Sequence, residues 1–165
     1  MQSSPDEDLI KITYAVKGKF TKRMEKALYP GKEVWLKLPY GDLFQRDHKK
    51  ENCVFIAGGT GITPFLSLFS HSSFEEFVNP RVYLGFRTRD YNLYNVELNN
   101  TQNPTVQIKV LYEDSDGMLN INNIYKKNGS TVYYLSGPPL MLKNFKTELI
   151  QYGLPENNIV TDDWE

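Results

Sequence analysis

The sequence predicts an α/β protein whose centre is a parallel five-stranded sheet with helices on both faces, preceded by a stretch of antiparallel β-structure. Three observations predict it. From Cys53 onward, short apolar runs alternate with segments whose apolar residues recur at helical spacing, which calls for parallel strands joined by right-handed crossovers. The first of those runs, Cys53-Val54-Phe55-Ile56-Ala57, is apolar at every position, as a strand covered on both faces must be. Ahead of it, residues 9–16 and 33–38 alternate apolar with polar, the pattern of strands with one wet face.

The elements follow in order. Leu9-Ile10-Lys11-Ile12-Thr13-Tyr14-Ala15-Val16 predicts a half-buried strand. Residues 21–28 predict a short helix with Thr21 as N-cap and Met24, Ala27 and Leu28 on one side. Pro30-Gly31 predicts a turn, and 33–38 a second strand closed by Pro39-Tyr40-Gly41. The polar run 46–52 marks a solvated boundary, dividing the chain into 1–50 and 51–165. Beyond it, strands are predicted at 53–57, 81–86, 106–112, 132–135 and 159–161. Helices are predicted at 64–77, 94–99, 120–127 and 139–152. In such sheets ligands sit beyond the C-terminal strand ends, where the strand order reverses.

Composition narrows the classes of function. Hydrophobic residues are 40% and charged residues 24%, ordinary for a globular protein. The net charge of −1 gives no overall basic footprint for nucleic acid or an acidic membrane. No apolar run approaches the ~20 residues of a membrane span, and the acidic N-terminus is unlike a secretory signal. Cys53 stands alone, so neither an internal disulfide nor a cysteine-rich metal site is expected, and the separate His48 and His71 do not suggest zinc. A cytoplasmic protein is expected.

The loop Gly58-Gly59-Thr60-Gly61-Ile62-Thr63-Pro64 lies between a buried strand and a helix. Glycines let a ligand approach the backbone without meeting a Cβ. The amides at the helix start form an anion site suited to a pyrophosphate. Pro64 suits the first turn, and the Thr60 and Thr63 hydroxyls are candidate donors. No lysine follows the last glycine, which excludes a Walker A loop, and no Gly-x-Gly-x-x-Gly occurs. A tight β–α turn that binds nothing would use the same glycines.

The run Phe55-Ile56-Ala57-Gly58-Gly59-Thr60-Gly61-Ile62-Thr63-Pro64-Phe65 closely resembles the pyrophosphate loop of the ferredoxin–NADP reductase superfamily. Tyr134-Leu135-Ser136-Gly137-Pro138-Pro139-Leu140-Met141 resembles its second signature, usually Cys-Gly-Pro-Pro with a methionine two residues on. Leu84-Gly85-Phe86-Arg87-Thr88-Arg89-Asp90 resembles the stretch bordering its adenosine pocket, and 149–164 the C-terminus of bacterial members.

The resemblance implies a Rossmann-like NAD(P)-binding domain over 51–165 and a remnant of an antiparallel flavin-binding β-barrel over 1–50. It implies hydride passage between NAD(P)H and a flavin, FAD before FMN, and onward transfer to an iron–sulfur or haem protein. Gly58, Gly59, Thr60, Gly61, Ile62, Thr63 and Pro64 would hold the pyrophosphate and nicotinamide ribose. Ser136, Gly137, Pro138 and Pro139 would form a shelf beside the nicotinamide, with Thr60 and Ser136 nearest the chemistry. Arg87 would lie near the adenosine ribose, with Arg89 as a second candidate, and Thr21 would contact the flavin phosphates.

Two departures from the family pattern bear on this. Serine stands at 136 where cysteine is usual. The flavin motif Arg-x-Tyr/Phe-Ser/Thr does not precede 9–16, so tight flavin binding by this chain alone is not expected, and a second chain completing the barrel, or a nucleotide-binding module without turnover, is the alternative. No acidic residue directly follows the second strand, and Arg87 and Arg89 suit either a 2′-phosphate or solvent, so NADH and NADPH both stay open.

The remaining polar residues are expected to take no part in the chemistry. Cys53 is an inert core residue, His71 faces solvent from mid-helix, and Asp116-Gly117 is a turn. Asp162 and Asp163 are solvated, and Trp164 packs under the last strand. Ser136 lacks the Gly-x-Ser-x-Gly setting of a hydrolase nucleophile.

Overall fold

The computed structural model describes residues 1–37, 41–44, 49–127 and 130–162. In chain order the elements are α1 (Lys19–Ala27), β1 (Cys53–Gly58), α2 (Thr63–Phe69), β2 (Arg81–Phe86), α3 (Asn95–Asn99), β3 (Gln107–Tyr112), α4 (Glu113–Asp116), α5 (Ile121–Ile124), β4 (Val132–Ser136), α6 (Pro139–Gln151) and β5 (Ile159–Thr161). Short 3-10 turns, Gly59–Ile62 and Ser72–Glu76 among them, join these elements. All five strands pair in parallel in the order β3-β2-β1-β4-β5, as the strand–helix alternation predicts.

Alternate residues of the central strands feed two cores. Phe55 and Ala57 of β1 and Tyr134 of β4 face the side covered by α2 and the Ser72–Glu76 turn. Val54, Ile56, Tyr133 and Leu135 face the side covered by α5 and α6. A strand buried on both sides has no polar face to show, which is why β1 and β4 read as unbroken apolar runs. The first core is aromatic. The Phe55 ring stacks on Tyr134 at 4.9 Å and meets Phe65, Phe69 and Phe77 edge-on at 5.4–5.6 Å.

Several local expectations are corrected. Residues 9–16 and 33–37 form no strand. Alternation supplies a face but not a ladder partner, and Leu9, Ile10 and Ile12 stay exposed, as do Val34, Trp35 and Leu36. Leu38 and Pro39-Tyr40 lie outside the described residues, as does His48. Thr21 is not the N-cap of α1. That place belongs to Gly18, and Thr21 sits three residues in, its Oγ1 accepting from the Lys17 and Gly18 amides at 3.0 and 3.1 Å.

The helix expected over 64–77 breaks after Phe69. The Ser70 hydroxyl donates back to the Leu66 carbonyl at 3.0 Å, and His71 Nδ1 accepts from the Ser73 amide at 3.1 Å, starting a separate turn. His71 therefore caps a turn, with Nε2 3.3 Å from Asp6, and does not face solvent from mid-helix. The helix expected over 120–127 is only the single turn of α5, and the 113–116 segment is a helical turn ended by Gly117.

The N-terminal residues are strapped to this layer. The Ser67 hydroxyl donates to the Ser3 carbonyl at 2.8 Å, and Gln2 Nε2 donates to Glu97 at 2.9 Å. Gln2, Ser3 and Ser4 are buried as a result. Leu43 reaches the first core, and Phe44 packs on Phe65 and Tyr134 at 6.3 and 5.9 Å. Among the described residues no helix is long and apolar enough to cross a membrane.

Candidate functional site

The strand order reverses at β1. The chain leaves β1 through α2 and builds β2 and β3 on one side, then crosses the opposite face through α5 and places β4 on the other side. The crevice at the C-terminal ends of β1 and β4 is therefore the switch point of the sheet, where ligands of this architecture sit. Ala57 pairs with Ser136 in the register of these two strands. The loop after β1 and the loop after β4 therefore start side by side.

The two glycine segments interlock there. A Cβ on Gly61 would lie 2.5 Å from Gly137 Cα and 2.6 Å from the Ser136 carbonyl carbon, so only glycine lets the loops touch. A Cβ on Gly58 would meet Met141 Sδ at 2.9 Å, and one on Gly137 would meet Met141 Cε at 2.8 Å. Met141, in the first turn of α6, is thus the side chain on which both loops rest. The sequence motif includes it, but only the packing reveals this role.

The residues present fit a dinucleotide phosphate. Gly59 holds φ +55°, and nothing stands within 4 Å of where its Cβ would be, so the backbone faces open space on that side. The 3-10 turn Gly59–Ile62 runs directly into α2, with Pro64 in its first turn, and the helical start supplies amide donors with the dipole behind them. No carboxylate lies within 58–64 or 136–139 to repel a phosphate. Thr60 is exposed and its hydroxyl can reach outward. The Thr63 hydroxyl instead donates to the Thr60 carbonyl at 3.1 Å, and so helps shape the loop. Ile62 is wholly buried beneath it.

Beside this crevice lies a cleft of about 380 Å³ lined by Gly137, Pro139, Leu142, Lys143, Thr161 and Asp162, among others. Ser136 and Asp162 are only 1% and 8% exposed. The Ser136 hydroxyl donates to Asp162 Oδ2 at 2.9 Å, and the Asp162 amide donates to the Leu135 carbonyl at 2.9 Å. The expectation that Asp162 is solvated is thereby corrected. Pairing of β5 beside β4 brings it against Ser136, an arrangement that depends on contacts 26 residues apart and leaves no local signal. Asp163 and Trp164 lie outside the described residues.

The other candidate residues are spread more widely. Arg87 follows β2, one strand away from the switch point, and is exposed. The Arg89 guanidinium sits 4.8 Å from the centre of the Tyr112 ring, a cation–π contact that holds it over β3. Thr21 is on α1, its hydroxyl engaged within that helix's own first turn, and α1 buries no residue. Cys53 is fully buried at the far end of β1, and burial pushes its thiol up to about 12, consistent with an inert core residue.

The family model described as oxidoreductase NAD-binding domain matches residues 55–147, more than half the chain and both glycine segments. The chain belongs to this family. As an oxidoreductase NAD-binding domain, it is 31% identical over 103 residues to methane monooxygenase component C of Methylosinus trichosporium, covering 61% of this chain and 30% of that protein. It is 29% identical over 164 residues to the reductase component of propane 2-monooxygenase from Rhodococcus jostii, covering 88% of this chain and 44% of that protein. The chain thus spans less than half the length of these curated relatives. The fold matches the flavohem-like FAD/NAD-binding domain of nitric oxide dioxygenase from Vibrio cholerae, with a TM-score of 0.73 at 18% identity, over 90% of this chain and 65% of that one. The resemblance read from the two glycine motifs is borne out by the family and by the fold.

Proposed function

We propose that this NAD-binding domain holds NADH or NADPH across its two interlocked glycine loops and delivers the electrons to a flavin, FAD before FMN. The observation that carries the proposal is the contact of Gly61 with Gly137 and Ser136 at the switch point. Bound together, the two cofactors supply hydride exchange between a nicotinamide and a flavin ring. The protein's part is to hold and shield. Gly58, Gly59, Thr60, Gly61, Ile62, Thr63 and Pro64 receive the pyrophosphate. Ser136, Gly137, Pro138 and Pro139 give the nicotinamide a flat shelf, and Arg87 borders the adenosine end. Residues 1–50 belong to a flavin-side domain in which Thr21 lies near the phosphates, and 51–165 form the nucleotide domain. The lone, buried cysteine suits a cytoplasmic setting.

The curated relatives named above are, by name, components of monooxygenases, one of them the reductase component. An electron acceptor bearing an iron–sulfur or haem centre is the matching partner here. Titration of the chain with NADH and NADPH by calorimetry tests the reading, and absence of binding at millimolar concentration contradicts it.

A second reading has its own observation. Among the described residues of 1–50 no strand forms, so those residues supply no barrel wall to bury a flavin ring. On that reading the chain binds nucleotide but turns over only when a second chain supplies the rest of the flavin site. The absorption spectrum separates the two: bound yellow flavin with dye reduction favours the enzyme, and a colourless protein that binds nucleotide favours the module.

A further inference from the structure

Sulfur enters the contact between the two glycine loops through Met141. Its Sδ lies 2.9 Å from where a Gly58 Cβ would be, and its Cε lies 2.8 Å from where a Gly137 Cβ would be. Real Cβ atoms essentially never come so close to a neighbour, so the thioether already fills the room that both glycines leave. Pro138 Cδ closes the same space, 3.0 Å from the Gly58 position. Yet Met141 is only partly buried, packed against the second core with its remaining surface open to solvent. A small oxidant therefore reaches it. The other sulfur atoms are placed differently. Met1 is exposed, Met118 is 73% exposed between α4 and α5, and Met24 lies on α1, which buries nothing. Cys53 is wholly buried at the far end of β1, and burial holds its thiol protonated and unreactive.

We infer that Met141 is a modification site, at which oxidation by a peroxide unseats the two glycine loops and releases the nucleotide. The release of nucleotide rests on the proposed function. A lone pair of the thioether attacks one peroxide oxygen, the O–O bond breaks and an S–O bond forms. The sulfur gives two electrons to the peroxide. The proton of the transferred hydroxyl passes to the departing hydroxide, which leaves as water. The product is a methionine sulfoxide, polar and bulkier than the thioether, and reducible again by sulfoxide reductases. An oxygen turned toward the loops adds, from the sulfur side, the bulk that Gly58 and Gly137 omit on theirs. An oxygen turned toward water draws the sulfur off both glycines, because a sulfoxide kept in that packed space gives up its hydration. Either way the contact of Gly61 with Gly137 loses its support.

The test treats the purified full chain with hydrogen peroxide, removes the oxidant, and maps sulfoxide residue by residue with peptide mass spectrometry. Dissociation constants for NADH and NADPH are measured by calorimetry before and after treatment. In the wild type a rise of about tenfold is expected, in step with sulfoxide at Met141. Incubation with methionine sulfoxide reductases is expected to reverse it. Met141→Leu keeps the volume and removes the sulfur, so its treated and untreated constants should agree, whatever its starting affinity. Met118→Leu should lose affinity on treatment as the wild type does. Should Met141→Leu fail to fold, the Gly58 and Gly137 amide resonances of the wild type decide the matter. They should move on oxidation without nucleotide and return on repair, and resonances that stay in place would overturn the inference. Sulfoxide at Met118 with none at Met141, full sulfoxide at Met141 with unchanged affinity, or an equal loss in Met141→Leu would also overturn it, while leaving nucleotide binding intact. Untreated protein that binds neither nucleotide would remove the proposed function and the inference with it.

Discussion

At Gly61 a methyl group has nowhere to go. Its carbon would sit 2.5 Å from Gly137 Cα and 2.6 Å from Gly137 N, and backbone cannot yield as a flexible side chain does. Gly61→Ala is expected to cost about 1–3 kcal/mol, read from the urea midpoint, and to weaken nucleotide binding as the loops part. Gly59→Ala separates conformation from space. With φ +55° and nothing within 4 Å, it strains the backbone by only about 1 kcal/mol, yet the new methyl points into the space proposed for the ligand. A larger loss in nucleotide affinity than in stability is the expected outcome, and an unchanged dissociation constant would contradict the site. The pH dependence is also set by single residues. Burial pushes Cys53 up to about 12 and raises Tyr94, Tyr133 and Tyr134. Each stays neutral in the folded chain while its unfolded counterpart ionises. Their contribution is therefore intact below about pH 8.5 and falls as pH rises toward 12. Urea midpoints should decline as pH rises from about 8.5 toward 12.

At the scale of elements, what a segment can show in its own residues decides what was legible. β2 and β5 match the residues predicted for them because burial on a fixed face is written in the strand itself. The break after α2 was hidden. Ser70, His71 and Ser73 turn their side chains onto the backbone, and those bonds compete with continuing the helix. The strands expected at 9–16 and 33–38 depend on a neighbour that the residues themselves do not name. The burial of Asp162 depends likewise on β5 lying beside β4. That Thr60, Gly61 and residues 136–139 meet at one end of the sheet was legible because motif and fold topology point to the same place. Two expectations follow from the packing. Phe55→Ala, at the hub of the aromatic core, should cost about 3–5 kcal/mol in urea unfolding. Hydrogen exchange should be fastest in α1, which buries nothing, and slowest in β1 and β4.

For the molecule as a whole, a doubly wound sheet explains why two segments separated by about half the chain meet at one end of the sheet. β1 and β4 are neighbours only because the chain reverses direction across the sheet, and that reversal opens the crevice. Everything proposed about hydride delivery requires a nucleotide to lie there. The most direct measurement is a titration of the isotopically labelled chain with NADH and NADPH, followed by backbone amide resonances. Saturable shifts are expected, centred on Gly59, Thr60, Gly61 and Gly137, with β3 and the N-terminal strap scarcely moved. No shift at millimolar nucleotide, or shifts centred away from the β1 and β4 ends, would contradict it.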